Sequence, residues 1–247
     1  MIRNQRNKKY LKIVLAIIIL TTILFIVGII LLKYNVEGET NMPFKLSKIA
    51  IISSSEGIDQ EAPDTKWAFN INQSNDIFLY LDQNEAYGKT EAIKSIKIDN
   101  IQTEGNKKDN INLYKPEPQE EKNIFKNKEE NKIETIEYLG DTKSDLKQLK
   151  ISNQGGIIAF RCSLDNLATY TSNEEQISHP ELLKKANINK EDLKIKLTFD
   201  LSLKLESKKE YKATIILELP IENVIEEGTT STEITELKNI IFKRQNI

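Results

Sequence analysis

From residue 193 to 206 apolar and polar side chains alternate without a break. Leu193, Ile195, Leu197, Phe199, Leu201, Leu203 and Leu205 fall on one face; Lys194, Lys196, Thr198, Asp200, Ser202, Lys204 and Glu206 fall on the other. A period of two marks a strand with one buried and one wet face. After polar residues 207–210 the pattern resumes at Tyr211, Ala213, Ile215, Leu217 and Leu219, and Pro220 closes it. This predicts a long antiparallel hairpin. Fourteen residues exceed the usual strand of about 5–6, so a bend or bulge is expected within the first arm.

Other segments repeat the theme. Residues 46–53 predict a first strand. Residues 66–72 place Trp67, Phe69 and Ile71 on one face, and 76–82 form the next strand across a turn at Gln73, Ser74 and Asn75. Further strands are expected at 92–102, 111–114, 133–139, 146–151 and 156–163, with a last one within 233–244. One short helix is expected at 180–186, because Ser178 and Glu181 make a capping-box pattern and Pro180 suits a first turn. The fold class is therefore mainly β: an antiparallel β-sandwich, immunoglobulin-like or jelly-roll-like. Ten of the eighteen residues 115–132 are charged, and Pro116 and Pro118 open the stretch. It reads as an exposed loop or a boundary within one sandwich spanning 46–247.

One run breaks the alternation entirely. Residues 13–32 carry no charge and lie between Lys12 and Lys33. As a helix they would cover about 30 Å, the thickness of a bilayer's hydrocarbon core. Arg3, Arg6, Lys8, Lys9 and Lys12 precede the run, and no acidic residue occurs before position 34. The positive flank places residues 1–12 in the cytosol and the rest outside. A cleaved signal peptide would have a shorter apolar core ending at small residues, and Leu31, Leu32, Lys33, Tyr34 and Asn35 offer no such site. The expectation is an uncleaved signal-anchor helix over 13–32, a linker over 33–45, and a single-pass protein of the cell membrane. Gly28 has no small partner four residues away, so the helix reads as a passive tether.

Charge and cysteine usage narrow the function classes. The chain holds 35 basic and 37 acidic residues; beyond residue 33 these are 29 and 37, a net charge of −8. That balance argues against nucleic acid as a partner. Cys162 is the only cysteine, so no intramolecular disulfide forms. The heavy use of Lys, Ile, Asn and Glu resembles a low-GC bacterial composition.

Candidate chemistry is sparse. Cys162 and His179 are each the only residue of their kind. Surface-anchored cysteine transpeptidases of the sortase type share the layout of anchor and outer β-domain. They require a histidine before the cysteine, however, whereas here Ala159-Phe160-Arg161-Cys162 precedes His179. Cys162 therefore reads as a small core residue and His179 as a first-turn surface residue. One histidine and one cysteine leave no set of zinc ligands. The stretch from Asp82 to Gly88 begins like a calcium loop, but Ala86 and Tyr87 occupy ligand and glycine positions, so it reads as a turn. Gly155-Gly156 also reads as a turn, and Trp67 as a core anchor. Asn72-Gln73-Ser74 matches a glycosylation acceptor only in a eukaryotic secretory route. No catalytic, cofactor-binding or metal-binding residue is assigned, and no cofactor is expected. The sequence points to a non-catalytic binding or scaffolding domain of a bacterial envelope with an envelope or membrane protein as partner. The competing reading is a membrane-tethered enzyme acting on glycan or peptide bonds.

Overall fold

The computed structural model describes residues 14–29, 42–115, 136–139, 151–152, 154–220 and 223–245. Residues 14–29 form a helix, α1, whose large apolar side chains are exposed; Phe25 is 70% accessible. Its two hydroxyls are satisfied within the helix. Thr21 donates to the carbonyls of Ile17 and Ile18, and Thr22 to that of Ile18 at 2.8 Å. Among the described residues no helix is long and apolar enough to cross a membrane.

The remainder is mainly β, in two antiparallel sheets. The first has the order β10-β1-β2-β7-β4, with β6 also on β7. Its members are β1 (Phe44–Asp59), β2 (Trp67–Gln83), β4 (Ile111–Tyr114), β6 (Ile151–Ser152), β7 (Gly155–Ser172) and β10 (Thr229–Ile234). The second has the order β11-β9-β8-β3-β5. It comprises β3 (Ile93–Gly105), β5 (Ile136–Leu139), β8 (Ile195–Leu205), β9 (Glu210–Leu219) and β11 (Lys243–Gln245). The inner faces share one buried cluster, in which Phe160 of β7 meets Phe199 of β8 edge to face at 5.3 Å. Stacked sheets pack about 10 Å apart, which two interdigitating aromatic rings fill.

The expected hairpin forms as β8 and β9, paired from Ile195↔Leu219 to Lys204↔Glu210 without a slip. The bulges fall on its other neighbour instead. β3 shifts register against β8 between Ile93 and Ser95 and between Asp99 and Gln102, where Asn100 takes φ +50°. Leu193 is not in the strand: it ends a short helix, α3 (Lys190–Leu193), whose N-terminus Asn189 caps by accepting the Glu191 N–H at 3.0 Å.

Two expectations fail, and a third holds with a different start. The turn placed at Gln73, Ser74 and Asn75 does not exist; all three are fully buried in the middle of a seventeen-residue strand, β2. Pairing with β1 on one side and β7 on the other satisfies a backbone whose side chains favour turns. The helix at 180–186 begins as a 3-10 turn, His179–Glu181, and continues as α2 (Leu182–Lys185). Ser178 sits at the N-cap, but its side chain makes no capping hydrogen bond. The last segment is split: β10 pairs with β1, and β11 crosses to pair with β9. Leu237 and Phe242, on the crossing between them, are buried in the shared core. The charged stretch 115–132 lies outside the described residues except for Lys115, as do residues 146–150 of another expected strand.

Candidate functional site

The most concentrated polar chemistry is a band across the middle of the six-stranded sheet. The strand parity that builds the core also builds it. Phe69, Ile71, Ile77, Leu79 and Leu81 of β2 are buried, and Gln73 and Asn75 continue the same odd-numbered face. Asn75 lies between Ser53 of β1 and Cys162 of β7 in the pairing register. Ser53 donates to Asn75 Oδ1 at 2.7 Å, and Gln73 Nε2 donates to the same oxygen at 2.9 Å. Asn75 Nδ2 in turn donates to Gln73 Oε1 and to the Cys162 carbonyl, at 3.1 and 3.2 Å. A buried amide costs little only when its groups find partners, and here both ends of Asn75 do.

The even-numbered face of β2 carries the charged half of the band. Asp76 lies opposite Arg161 of β7. Arg161 Nε is 2.6 Å from Asp76 Oδ1 and Nη2 is 3.1 Å from Oδ2, a forked contact. Its Nη1 reaches Glu56 of β1 at 3.0 Å. Arg161 is 3% accessible, so a guanidinium is held away from water between two carboxylates. Burial pushes the Asp76 carboxyl above its ordinary value, against the pull of Arg161.

Beside it, Asp165 collects three donors. The Tyr114 hydroxyl, the Ser163 hydroxyl and Asn112 Nδ2 all donate to its carboxylate, the last at 2.6 Å. Burial and the Asp165 carboxylate together push the Tyr114 hydroxyl far above its ordinary range. This group sits where β7 bulges against β2, between Leu164 and Ala168. Asn166 occupies the left-handed region at φ +55°, and its N–H donates to Asn72 Oδ1 at 2.9 Å. Asparagine tolerates that backbone better than most residues, which explains its place at the bulge.

These groups hold one another rather than standing open. Both Asp76 oxygens are engaged by Arg161, and the Asp165 carboxylate by three hydroxyl or amide donors. The band therefore offers a rigid polar weld between β1, β2, β7 and β4. Sequence reasoning missed it because Arg161 and Asp76 are separated by 85 residues. Polar residues continuing a core parity through positions 73 and 75 were the available signal.

Cys162 and His179 are not brought together. Cys162 is fully buried on the inner face, and burial together with nearby Asp165 pushes its thiol up to about 12. His179 packs edge to face on Phe69 at 5.3 Å, six residues along β2 from the partner of Cys162. At strand spacing that separation is about 20 Å. Trp67 is half-buried beside Phe69 and donates through Nε1 to the Glu174 carbonyl at 3.0 Å. The stretch from Asp82 to Gly88 is a turn: Asn84 accepts the Ala86 N–H at 3.2 Å and Gly88 closes it at φ +68°.

A hollow of about 410 Å³ lies at the end of the second sheet, lined by Glu104, Glu191, Lys194, Lys196, Glu218 and Pro220 among others. Lys194 pairs with Glu191 at 2.6 Å and Lys196 with Glu104 at 3.3 Å, all four side chains being well exposed. Among the described residues no three of His, Cys, Asp and Glu converge to hold a metal ion. No family model, curated protein or solved structure matches this chain.

Proposed function

We propose that this chain is a single-pass membrane protein. In this reading residues 13–32 tether an extracytoplasmic β-domain of a bacterial cell envelope, and residues 1–12 lie in the cytosol. The domain binds or scaffolds an envelope or membrane protein rather than catalysing a reaction. The observation that carries the tether is α1: a helix with uniformly exposed Ile, Leu, Val and Phe side chains and hydroxyls closed onto its own carbonyls. Such a surface is favourable in hydrocarbon and costly in water. The uncharged run continues through Ile13 and through Ile30, Leu31 and Leu32 in the sequence.

The same reading makes the domain a sandwich of immunoglobulin-like or jelly-roll-like type, its chain changing sheet at every step from β2 to β6 and again at β7–β8, β9–β10 and β10–β11. The site chemistry supports binding over catalysis. The buried acids of the band are saturated by donors, the acids of the hollow are wet and partly paired, and Cys162 is sealed as a thiol. A hydrolase or transpeptidase would need acids converging in a water-poor cleft or an accessible thiolate.

Protease added to intact cells tests the topology. Cleavage after residue 33 with an N-terminal tag protected is the expected pattern, and the reverse pattern overturns it. Replacing 13–32 by an unrelated Leu/Ala helix with the same flanks should preserve partner capture in a crosslinking pull-down. Loss of capture would move recognition into the membrane segment.

A further inference from the structure

Strand β9 has a neighbour on one side along its whole length and on the other side along only three residues. It pairs with β8 from Glu210 to Leu219, whereas β11 covers Glu210, Tyr211 and Lys212 alone. Among the described residues nothing pairs with the outer edge of residues 213–219. Natural sheets blunt such an edge with lysine, proline, a bulge or extreme shortness. The sequence Ala213-Thr214-Ile215-Ile216-Leu217-Glu218-Leu219 contains none of these, and its pairing with β8 shows no register shift. Ile216 points outward and is 59% accessible. The strands at the other described margins are short or rich in hydroxyls: β4 and β5 have four residues each, β11 has three, and β10 reads Thr-Thr-Ser-Thr-Glu-Ile. Among the described residues the outer side of β7 is covered only at 155–156 and 161–164, and β7 bulges against β2 just beyond.

We propose that this edge pairs with the same edge of a second copy of the chain, antiparallel, with Ile216 on the two-fold axis. A two-fold contact requires a patch complementary to itself, and this strand meets the requirement at each position. Ile216 lies opposite Ile216 of the second copy, covering both exposed side chains. Thr214 lies opposite Glu218, and Glu218 comes to the diagonal position beside Lys212. Symmetry makes that charge contact twice. Glu218 has no ion-pair partner among the described residues. The Lys212 ammonium already stands on the outer face of the sheet, 3.1 Å from Asp200 and 3.8 Å from Asp99, and Lys97 pairs with Asp99 at 2.9 Å, so the cluster is balanced in charge. A second copy supplies an acid at one end of the strand and a base at the other in the order the edge needs.

Joining the edges turns two five-stranded sheets into one continuous sheet of ten. A seven-residue pair is only about 23 Å long. It buries less than the roughly 1,200 Å² of a stable complex, so the association is of the weak, concentration-dependent kind. The inference goes beyond the tethered binding domain and does not rest on it.

Cysteine linking of the full-length chain tests the edge and its register. Under mild oxidation Ile216→Cys should give a disulfide-linked pair of twice the mass at least tenfold faster than Lys204→Cys, an exposed position on the same face away from the edge. A mixture of Thr214→Cys and Glu218→Cys chains should link to each other, while each alone should not, since positions 214 and 214 are about 14 Å apart in this register. Ile216→Arg should abolish concentration-dependent doubling of mass in light scattering and leave the melting curve unchanged. Linking of Ile216→Cys no faster than Lys204→Cys, or a mixture no better than its components, overturns the proposal.

Discussion

Arg161 and Asp76 meet as directly opposed residues of β7 and β2, joined by two contacts of 2.6 and 3.1 Å in a site almost closed to water. The pair fixes strand register as well as charge. A slip of β7 by one residue would turn Arg161 to the inner face, among Ile77 and Leu79, and leave Asp76 without its partner. Arg161→Met leaves Asp76 and Glu56 without a counter-charge and should lower the unfolding free energy by about 3–5 kcal/mol. Combining it with Asp76→Leu removes both buried charges of the fork and should recover more than half of that loss. Urea titration of the two single variants and the double measures the coupling; strictly additive losses would show that the fork contributes no specific interaction.

The amide row on the inner face carries its own cost of disruption. Asn75→Ala removes the acceptor of Ser53 and Gln73 and the donor to the Cys162 carbonyl. The expected loss is about 1–3 kcal/mol, the desolvation penalty of groups left unpaired. A change below about 0.5 kcal/mol in denaturant unfolding would mean that the neighbours find other partners.

Cys162 should resist thiol reagents in the folded protein and react at once when it unfolds. Cys162→Ser should cost about 1–3 kcal/mol from a hydroxyl in an apolar site. The thiol ordinarily titrates near 9.0 and is pushed up to about 12 in the fold. Its contribution to stability is therefore complete below pH 9 and declines as the pH rises from 9 to 12, because the unfolded chain loses the proton first. Thermal melts of the wild type and Cys162→Ala across that window should converge or cross; parallel curves would place the thiol in water.

Asp200 shifts the other way. Partial burial pushes its carboxyl up, but hydrogen bonds from Thr214, Asn100 and Lys212 outweigh this and hold it below the ordinary 3.8. Its stabilisation is present above pH 3.8 and is lost as the pH falls further through the native value. Asp200→Asn should thus be less stable than the wild type near neutrality and approach it in acid. A difference independent of pH would rule out a charged role for Asp200.

The alternation at β8 and β9 was legible because every second residue there is apolar and solvent wets the other face. Strand β2 was not legible in the same way. Gln73, Ser74 and Asn75 carry turn-favouring side chains, and only the pairing with β1 and β7 makes them a strand. Their parity with Ile71 and Ile77 was visible, but parity alone does not outweigh local propensity without knowledge of the neighbours. The Arg161 fork was invisible for a related reason: its partners come from strands 85 and more residues away. Ser178 failed as a cap because a capping pattern in sequence does not aim a side chain; Asn189, eleven residues on, does cap its own helix, α3.

Strand β1 pairs with β2 at once but waits for β10, which joins Ile234 to Ile49 and brings Glu233 to within 2.6 Å of Lys48 across 185 residues. At a synthesis rate of about 5–20 residues per second, that interval lasts on the order of 10–40 seconds. During that time the nascent chain presents an unfinished sheet margin to whatever surrounds it. Ser53, Ser54 and Ser55 lie on that margin, and Ser53 and Ser54 await Thr230 and Thr229. Ile49, Ala50, Ile51 and Ile52 precede them on the same margin, so among the described pairings the seam that closes last in the chain also leaves an apolar strand edge open until its own partner is made.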